Sequence, residues 1–227
     1  MLLTLVGGAL YAGRKGKREA AEISAQVQRW FPGLLALTLS SVGITLLFMV
    51  MVFPSVSIGE RFTASWLVDL LLGALVGALI AGLYFTLLSP AMTWLQAHIG
   101  DYVPPGSVLT TLEGNLPAFF VANVLLAPLV EELWYRGALF TAAEPLGTAL
   151  SVVLTCLAFG LFHWPGGFWY MLLTGGILGV ALVWLRLEQA SLLAPYSAHL
   201  ALNIIEFYVL ARRSRTVKKS LIMKENP

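Results

Sequence analysis

Long apolar runs, separated by short breaks rich in proline and glycine, dominate the pattern along the chain. The runs cover residues 34–53, 66–88, 116–143, 148–163, 168–186 and 191–211. A helix needs roughly 20 mainly apolar residues to cross the hydrocarbon core of a bilayer. The pattern therefore predicts an all-α protein, a polytopic transmembrane bundle of about six spans. The predicted stops include Pro54, Ser89-Pro90, Pro145 with Gly147, and the segment "FHWPGG".

The composition supports a membrane environment. Only 11 % of the 227 residues are charged and 58 % are hydrophobic, whereas a soluble domain carries about 25 % charged residues. So few charges cannot cover a surface that faces water, so lipid must be part of the solvent. We interpret the whole chain, 1–227, as a single membrane domain that contacts the lipid bilayer.

The basic residues lie at the two ends of the chain. One cluster precedes the first long run and the other follows the last: Arg14, Lys15, Lys17, Arg18 and Arg29, then Arg212, Arg213, Arg215, Lys218, Lys219 and Lys224. By the positive-inside rule, both termini are predicted to be cytoplasmic, which requires an even number of spans. We therefore expect a basic N-terminal segment, 1–33, and a basic tail, 212–227. Because these clusters flank membrane segments, no nucleic-acid partner is expected. One feature disagrees with this topology, since the connection 89–115 contains no Lys or Arg.

Small residues recur at helical spacing within the runs. The pairs are Gly73 with Gly77, Ala78 with Gly82, and Gly175 with Gly179. Such pairs allow helices in a membrane to approach closely. They predict packing contacts and not chemistry.

A few strongly polar side chains interrupt the runs that follow residue 115. Those of interest are Glu131, Glu132, Arg136, His163, His199, Asn203 and Glu206. A charged side chain at the centre of a bilayer costs about 2.5–3.5 kcal/mol on insertion scales, so it normally faces the bundle interior. Each is either part of a functional site or a structural ion pair or hydrogen bond between helices.

The spacing of these residues separates their roles. Residues four apart share a helix face, whereas neighbours point about 100° apart. Glu132 and Arg136 can therefore pair, while Glu131 points elsewhere and is free for other work. His199 and Asn203 are also four apart, as are Phe159 and His163. The three polar faces converge only if their helices are neighbours in space.

Such a set of side chains suits the hydrolysis of an acyl bond by water. A carboxylate in a partly dry site can act as general base to a water molecule, and a histidine can hold that water or move its proton. A second histidine with an asparagine can donate hydrogen bonds to a developing oxyanion. No Ser or Cys lies in a recognisable nucleophile motif. A zinc site formed by Glu131, His163 and His199 is an alternative, although the HExxH signature of helical zinc sites is missing.

Three motifs resemble those of the CAAX protease and bacteriocin-processing family, also called the Abi family, which is related to the type II CAAX prenyl endopeptidases. They are "EELWYR" (131–136), "FGLFH" (159–163) and "HLALN" (199–203), which match the family pattern EExxxR, FxxxH and HxxxN in order. The resemblance covers residues 115–205, which we predict to be the catalytic core.

The resemblance implies a glutamate-dependent intramembrane endopeptidase of a prokaryotic cytoplasmic membrane, with no cofactor. Glu131 and His163 would activate the water, and His199 and Asn203 would form the oxyanion site. Glu132 and Arg136 would support the helix and the charge balance. The implied partner is a membrane-associated protein or peptide substrate, with or without a lipid anchor. A non-catalytic scaffold or immunity protein and a proton-coupled transporter are the alternatives.

Two further expectations concern the edges of this site. The segment "FHWPGG" predicts that a helix ends just after His163, which would leave this histidine near an edge that water can reach. Glu206 shares the helix face of His199 and Asn203 and could border the site. Its place near the predicted cytoplasmic end favours a solvated carboxylate instead.

Overall fold

The computed structural model describes residues 43–44, 65–100, 117 and 120–225. Within them the backbone is helical, with no strand, which confirms the predicted all-α class. The helices are α1 (Trp66–His98), α2 (120–143), α3 (Thr148–Phe162), α4 (Phe168–Gln189) and α5 (Leu193–Glu225). Helix α5 packs along α1, α3 packs against α4, and α2 contacts both α3 and α5.

Two of these helices, α1 and α4, are long and apolar enough to cross a membrane, and α3 is a shorter apolar helix of 15 residues. The predicted first span, 34–53, lies outside the described residues except for 43–44, as do the N-terminal segment 1–33 and most of the connection after residue 100. The number of six spans therefore stays a prediction.

Helix α1 continues past the predicted stop at Ser89-Pro90 and ends at His98. Proline lacks an N–H and clashes with the carbonyl one turn earlier, so it normally kinks or ends a helix. Here a wider π-helical turn at Tyr84–Leu88 directly precedes Pro90. A π turn changes the hydrogen-bond pattern by one residue, and this change lets the helix accommodate the proline. The prediction of a stop at this position was wrong.

The predicted breaks at Pro145 with Gly147 and at "FHWPGG" are confirmed, whereas Pro54 lies outside the described residues. Helix α2 gives way to a short 3-10 turn at Glu144–Leu146, and Gly147 follows with a φ of +95°. Helix α3 ends at Phe162, and His163 is the first residue beyond it. Ser191 lies two residues before the start of α5. Its hydroxyl accepts a hydrogen bond from the Leu193 N–H at 3.0 Å and so satisfies a free donor at the helix start.

Glycines create the closest helix contacts. A Cβ added to Gly77 would lie 2.8 Å from the Ala198 carbonyl carbon, and one added to Gly73 would lie 2.8 Å from the Ser197 Cβ. Gly160 of α3 and Gly175 of α4 meet in the same way. The prediction of close packing is therefore confirmed for Gly73, Gly77 and Gly175.

Ala78 and Gly82 make no such close contact with the residues that the structure describes. Both residues are exposed, and no described atom lies within 4 Å of a Cβ added to Gly82. The spacing of small residues does not reveal which helix face meets a neighbour, because the lipid-facing side of a helix tolerates small residues equally well.

Candidate active site

Helix α2 brings three charged residues into the interior, two of them adjacent and the third one turn later. Its π-helical segment, Glu132–Leu139, begins directly after a short α-helical stretch that ends at Glu131. Glu131, Glu132 and Arg136 have exposed fractions of 8 %, 1 % and 0 %. Charges buried to this extent are tolerated only where they are paired and hydrogen bonded. Their partners therefore define the site.

Glu132 is held by two partners. Its Oε1 accepts a hydrogen bond from Arg136 Nη1 at 3.1 Å and a second one from His199 Nδ1 at 2.8 Å. The Glu132–Arg136 pair predicted from the spacing is thus present. The contact with His199 joins α2 to α5 and was not predicted. Because an ionised carboxylate only accepts hydrogen bonds, this contact fixes the His199 proton on Nδ1 and turns Nε2 away from Glu132.

Arg136 is held on three sides. Besides Glu132, it donates from Nη2 to the Gly179 carbonyl of α4 at 3.3 Å, and its guanidinium lies 4.1 Å from the centroid of the Phe159 ring. A guanidinium over an aromatic face gains a cation–π attraction, which strengthens when both are removed from water. Arg136 therefore connects α2, α3 and α4 around the site.

His163 occupies the end of α3, as the sequence predicts. Its Nδ1 lies 2.8 Å from the Phe159 carbonyl oxygen, and a carbonyl only accepts, so the His163 proton is on Nδ1. The exposed fraction of its side chain is 18 %, against 4 % for His199. His163 is therefore the more accessible of the two histidines.

Glu131 faces both histidines. Its Oε2 lies 3.8 Å from His163 Nε2 and 3.9 Å from His199 Nε2. These separations are too long for direct hydrogen bonds. The same Oε2 atom is buried and has no hydrogen-bond partner. The Glu131 Oε2 atom thus lies within 4 Å of an Nε2 atom from each histidine, without a direct hydrogen bond to either.

Asn203 is held against the start of α2. Its Nδ2 donates to the Asn123 carbonyl at 2.8 Å. Asn123 lies in the π-helical segment Phe120–Leu126, where a carbonyl would accept from the N–H five residues later. That residue is Pro128, which has no N–H. Asn203 replaces the missing donor, and its amide retains a second N–H for another acceptor.

The structure thus brings five of the six predicted site residues into one network of contacts, formed by Glu131, Glu132, Arg136, His163 and His199. Asn203 lies one helical turn after His199 and is fixed to α2 instead. With both histidines neutral, the two carboxylates and one guanidinium carry a net charge of −1. Over the described part of the chain, no group of three His, Cys, Asp or Glu side chains has an arrangement that would hold a metal ion.

Sequence reasoning missed two supporting groups. Arg186 of α4 is 3 % exposed, and its Nε donates to the Arg136 carbonyl at 3.3 Å. The sequence feature that could have revealed Arg186 is a charged residue within the apolar stretch "ALVWLRL". The second group is the Gly179 carbonyl, which no side-chain pattern could indicate.

The geometry agrees with a comparison against known protein families. Residues 113–205, which contain all three motifs, match the family described as type II CAAX prenyl endopeptidase Rce1-like. The match covers less than half of the chain and makes this segment similar to the family. Members of the Rce1-like family are integral-membrane proteases. Searches of curated proteins and of solved structures gave no match.

Proposed function

We propose that the protein is a glutamate-dependent intramembrane endopeptidase that hydrolyses a peptide bond with an activated water. The observation that carries this proposal is the Glu131 Oε2 atom, buried without a partner and 3.8–3.9 Å from the Nε2 atoms of His163 and His199. One small molecule between these atoms would satisfy all three. A water is the species that hydrolysis requires at that point.

The hydrogen-bond pattern accounts for how such a water is held. Both Nδ1 atoms carry protons, so both Nε2 atoms of the neutral rings are acceptors, and so is an ionised Glu131. A water has only two hydrogens for these three acceptors. One additional proton, on either histidine ring or on Glu131, turns one of the three acceptors into a donor, so that every hydrogen bond to the water has a partner. This proton also cancels the net charge of −1. Water and one mobile proton are the components of general acid–base catalysis.

The reaction then follows from the positions of the groups. Glu131 takes a proton from the water as its oxygen attacks the carbonyl carbon of the scissile bond, with His163 holding the water. The carbonyl oxygen becomes an oxyanion, which accepts hydrogen bonds from protonated His199 Nε2 and from the second N–H of Asn203. As the tetrahedral intermediate collapses, Glu131 returns the proton to the leaving amine.

Glu132 and Arg136 act as positioning residues in this scheme. The Glu132 carboxylate fixes the tautomer of His199 and stabilises the positive charge that the ring carries when it donates to the oxyanion, as a carboxylate does for the histidine of a serine-protease triad. Arg136 compensates the charge of Glu132 and fixes its direction. The two adjacent carboxylates thus differ in function, because Glu132 Oε1 is bound to both Arg136 and His199, whereas no described hydrogen bond holds the Glu131 Oε2 atom that faces the histidines.

We further propose that no metal ion takes part. A zinc site would use the same three residues with ligand distances of about 2.0–2.2 Å, and it predicts that activity is lost on chelation. The water mechanism predicts full activity after dialysis against EDTA. The substrate that fits both the family and the site is a membrane-associated protein or peptide, with or without a lipid anchor.

The test compares new protein termini in the membrane proteome of cells that express the wild type, Glu131→Gln or Glu188→Gln at equal levels. Glu188 is an exposed carboxylate on α4 and serves as the matched control. We expect termini that are present with the wild type and with Glu188→Gln and absent with Glu131→Gln. The same termini in all three samples, with substrates of related proteases supplied in the cells, would favour a non-catalytic scaffold. Transport by the wild type into liposomes that depends on Glu131 would favour the carrier alternative.

A further inference from the structure

A groove lies beside the polar centre, between α1, α4 and α5. Its walls are mainly apolar and include Ile80 and Leu88 of α1, Ile177 of α4 and Leu202 of α5. The space between the walls, together with its open side, is about 430 Å³. Walls of this composition suit a substrate group with an apolar stem.

The groove shares walls with the active site. The Tyr170 ring lines the groove, and its centroid is 6.1 Å from that of the His163 ring. Leu178 and Leu202 also line it, and both belong to the same buried cluster as Phe159, whose carbonyl binds His163. The groove therefore borders the candidate active site on the side of His163.

The groove contains one charged side chain among the residues described to line it, that of Glu206. This side chain is partly buried rather than fully solvated. Glu206 follows His199 by seven residues on α5, which places it about 10 Å farther along the helix axis. Among the side chains that the structure describes, which on α5 extend to Arg212, no Lys, Arg or His forms an ion pair with its carboxylate. A carboxylate among apolar walls is unfavourable unless a partner compensates it.

We propose that this groove is a specificity subsite for a basic side chain, lysine or arginine, of the substrate. This inference rests on the proposed peptidase function. Lysine and arginine combine an apolar stem with a charged head group, which matches apolar walls that end at Glu206. Tyr84 and Tyr170 line the same groove, and aromatic rings attract cations. An isoprenoid or acyl chain would fit the walls but would leave the Glu206 carboxylate without a partner.

The test measures a ratio of cleavage rates in proteoliposomes. The probes are quenched fluorescent peptides from a positional library in which one residue at a time is lysine, norleucine or glutamate. We expect the wild type to prefer lysine over norleucine at one position near the cleaved bond. Glu206→Gln lowers the ratio of kcat/KM for these two peptides by about 10- to 100-fold, the effect of losing one hydrogen bond to a charged group. Glu206→Lys shifts the preference to glutamate at the same position.

A ratio does not depend on the fraction of correctly folded protein, so partial misfolding of a variant does not obscure the result. Glu188→Gln is the control and keeps the wild-type ratio. Cleavage that requires Glu131 but shows no preference for a basic residue would overturn the subsite and leave the proposed function intact. The same holds if the preference survives in Glu206→Gln, or if norleucine is preferred at every position. No Glu131-dependent cleavage of any peptide by the wild type would overturn both.

Discussion

Helix α5 contributes to two regions that are built in opposite ways. Toward α1 it presents Ala194 and Ala198, and the glycines of α1 approach its backbone so closely that a Cβ has no room. Toward α2 and α3 it presents His199, which is held by a directed bond to Glu132 and faces Glu131 across a gap. The first region is closely packed through small residues, and the second is held by directed contacts between charged and polar side chains. We infer that steric packing against α1 fixes the position of α5. The polar groups on the other face of α5 are therefore not needed to hold the helix in place and can serve catalysis.

The largest effect is expected where the packing leaves no room. In Gly77→Leu the new side chain meets the Ala198 backbone, and backbone atoms cannot move aside as a flexible side chain can. We expect little folded protein, measured as the monodisperse fraction in detergent and as resistance to proteolysis. Gly82→Leu is the matched control on the same helix, because Gly82 is exposed, and it should behave as the wild type. Equal yields of the two variants would show that the contact between α1 and α5 is not needed for the fold.

The next effect tests whether the polar centre also contributes to stability. Glu132→Ala leaves Arg136 buried without its carboxylate partner. Breaking a buried ion pair in this way costs about 3–5 kcal/mol, so the free energy of unfolding in mixed detergent micelles should fall by that amount. Glu144→Ala removes an exposed carboxylate and should leave the unfolding free energy unchanged. A stability of Glu132→Ala equal to that of the wild type would mean that Arg136 finds compensation elsewhere.

A smaller effect on stability is expected from one hydrogen bond between α5 and α1. The Ser197 hydroxyl donates to the Leu70 carbonyl at 2.7 Å and adds one polar bond to the contact between α5 and α1. Ser197→Ala removes this bond without adding volume. We expect a loss of about 0.5–1.5 kcal/mol in the unfolding free energy and no change in the rate of peptide cleavage. A change in the cleavage rate that exceeds the change in folded fraction would contradict the separation of the two regions.

The sequence predicts the pairs within a helix well, because they depend only on local geometry. The Glu132–Arg136 pair and the glycine face of Gly73 and Gly77 follow from residues four apart, and the end of α3 at His163 follows from the proline and glycines after it. The sequence also names all five residues that meet at the centre.

Other features depend on neighbours that a periodic pattern does not contain. The bond from Glu132 to His199 requires α2 beside α5, and no spacing within either helix indicates this. The dipeptide Ser89-Pro90 predicts a stop, but a π turn before Pro90 lets the helix continue, and a second π-helical segment precedes Pro128. Glu206 was expected to be solvated, and only the positions of α1 and α4 show that it lines a groove.

The most direct test of the proposed function is the rate of peptide cleavage by purified Glu131→Gln in proteoliposomes, measured together with its unfolding temperature. Glutamine keeps the size and polarity of the side chain but cannot take a proton from water. The mechanism predicts a rate about 10²–10⁴-fold below that of the wild type, with an unchanged unfolding temperature. Cleavage at the wild-type rate by this folded variant would contradict the role of Glu131 as the general base.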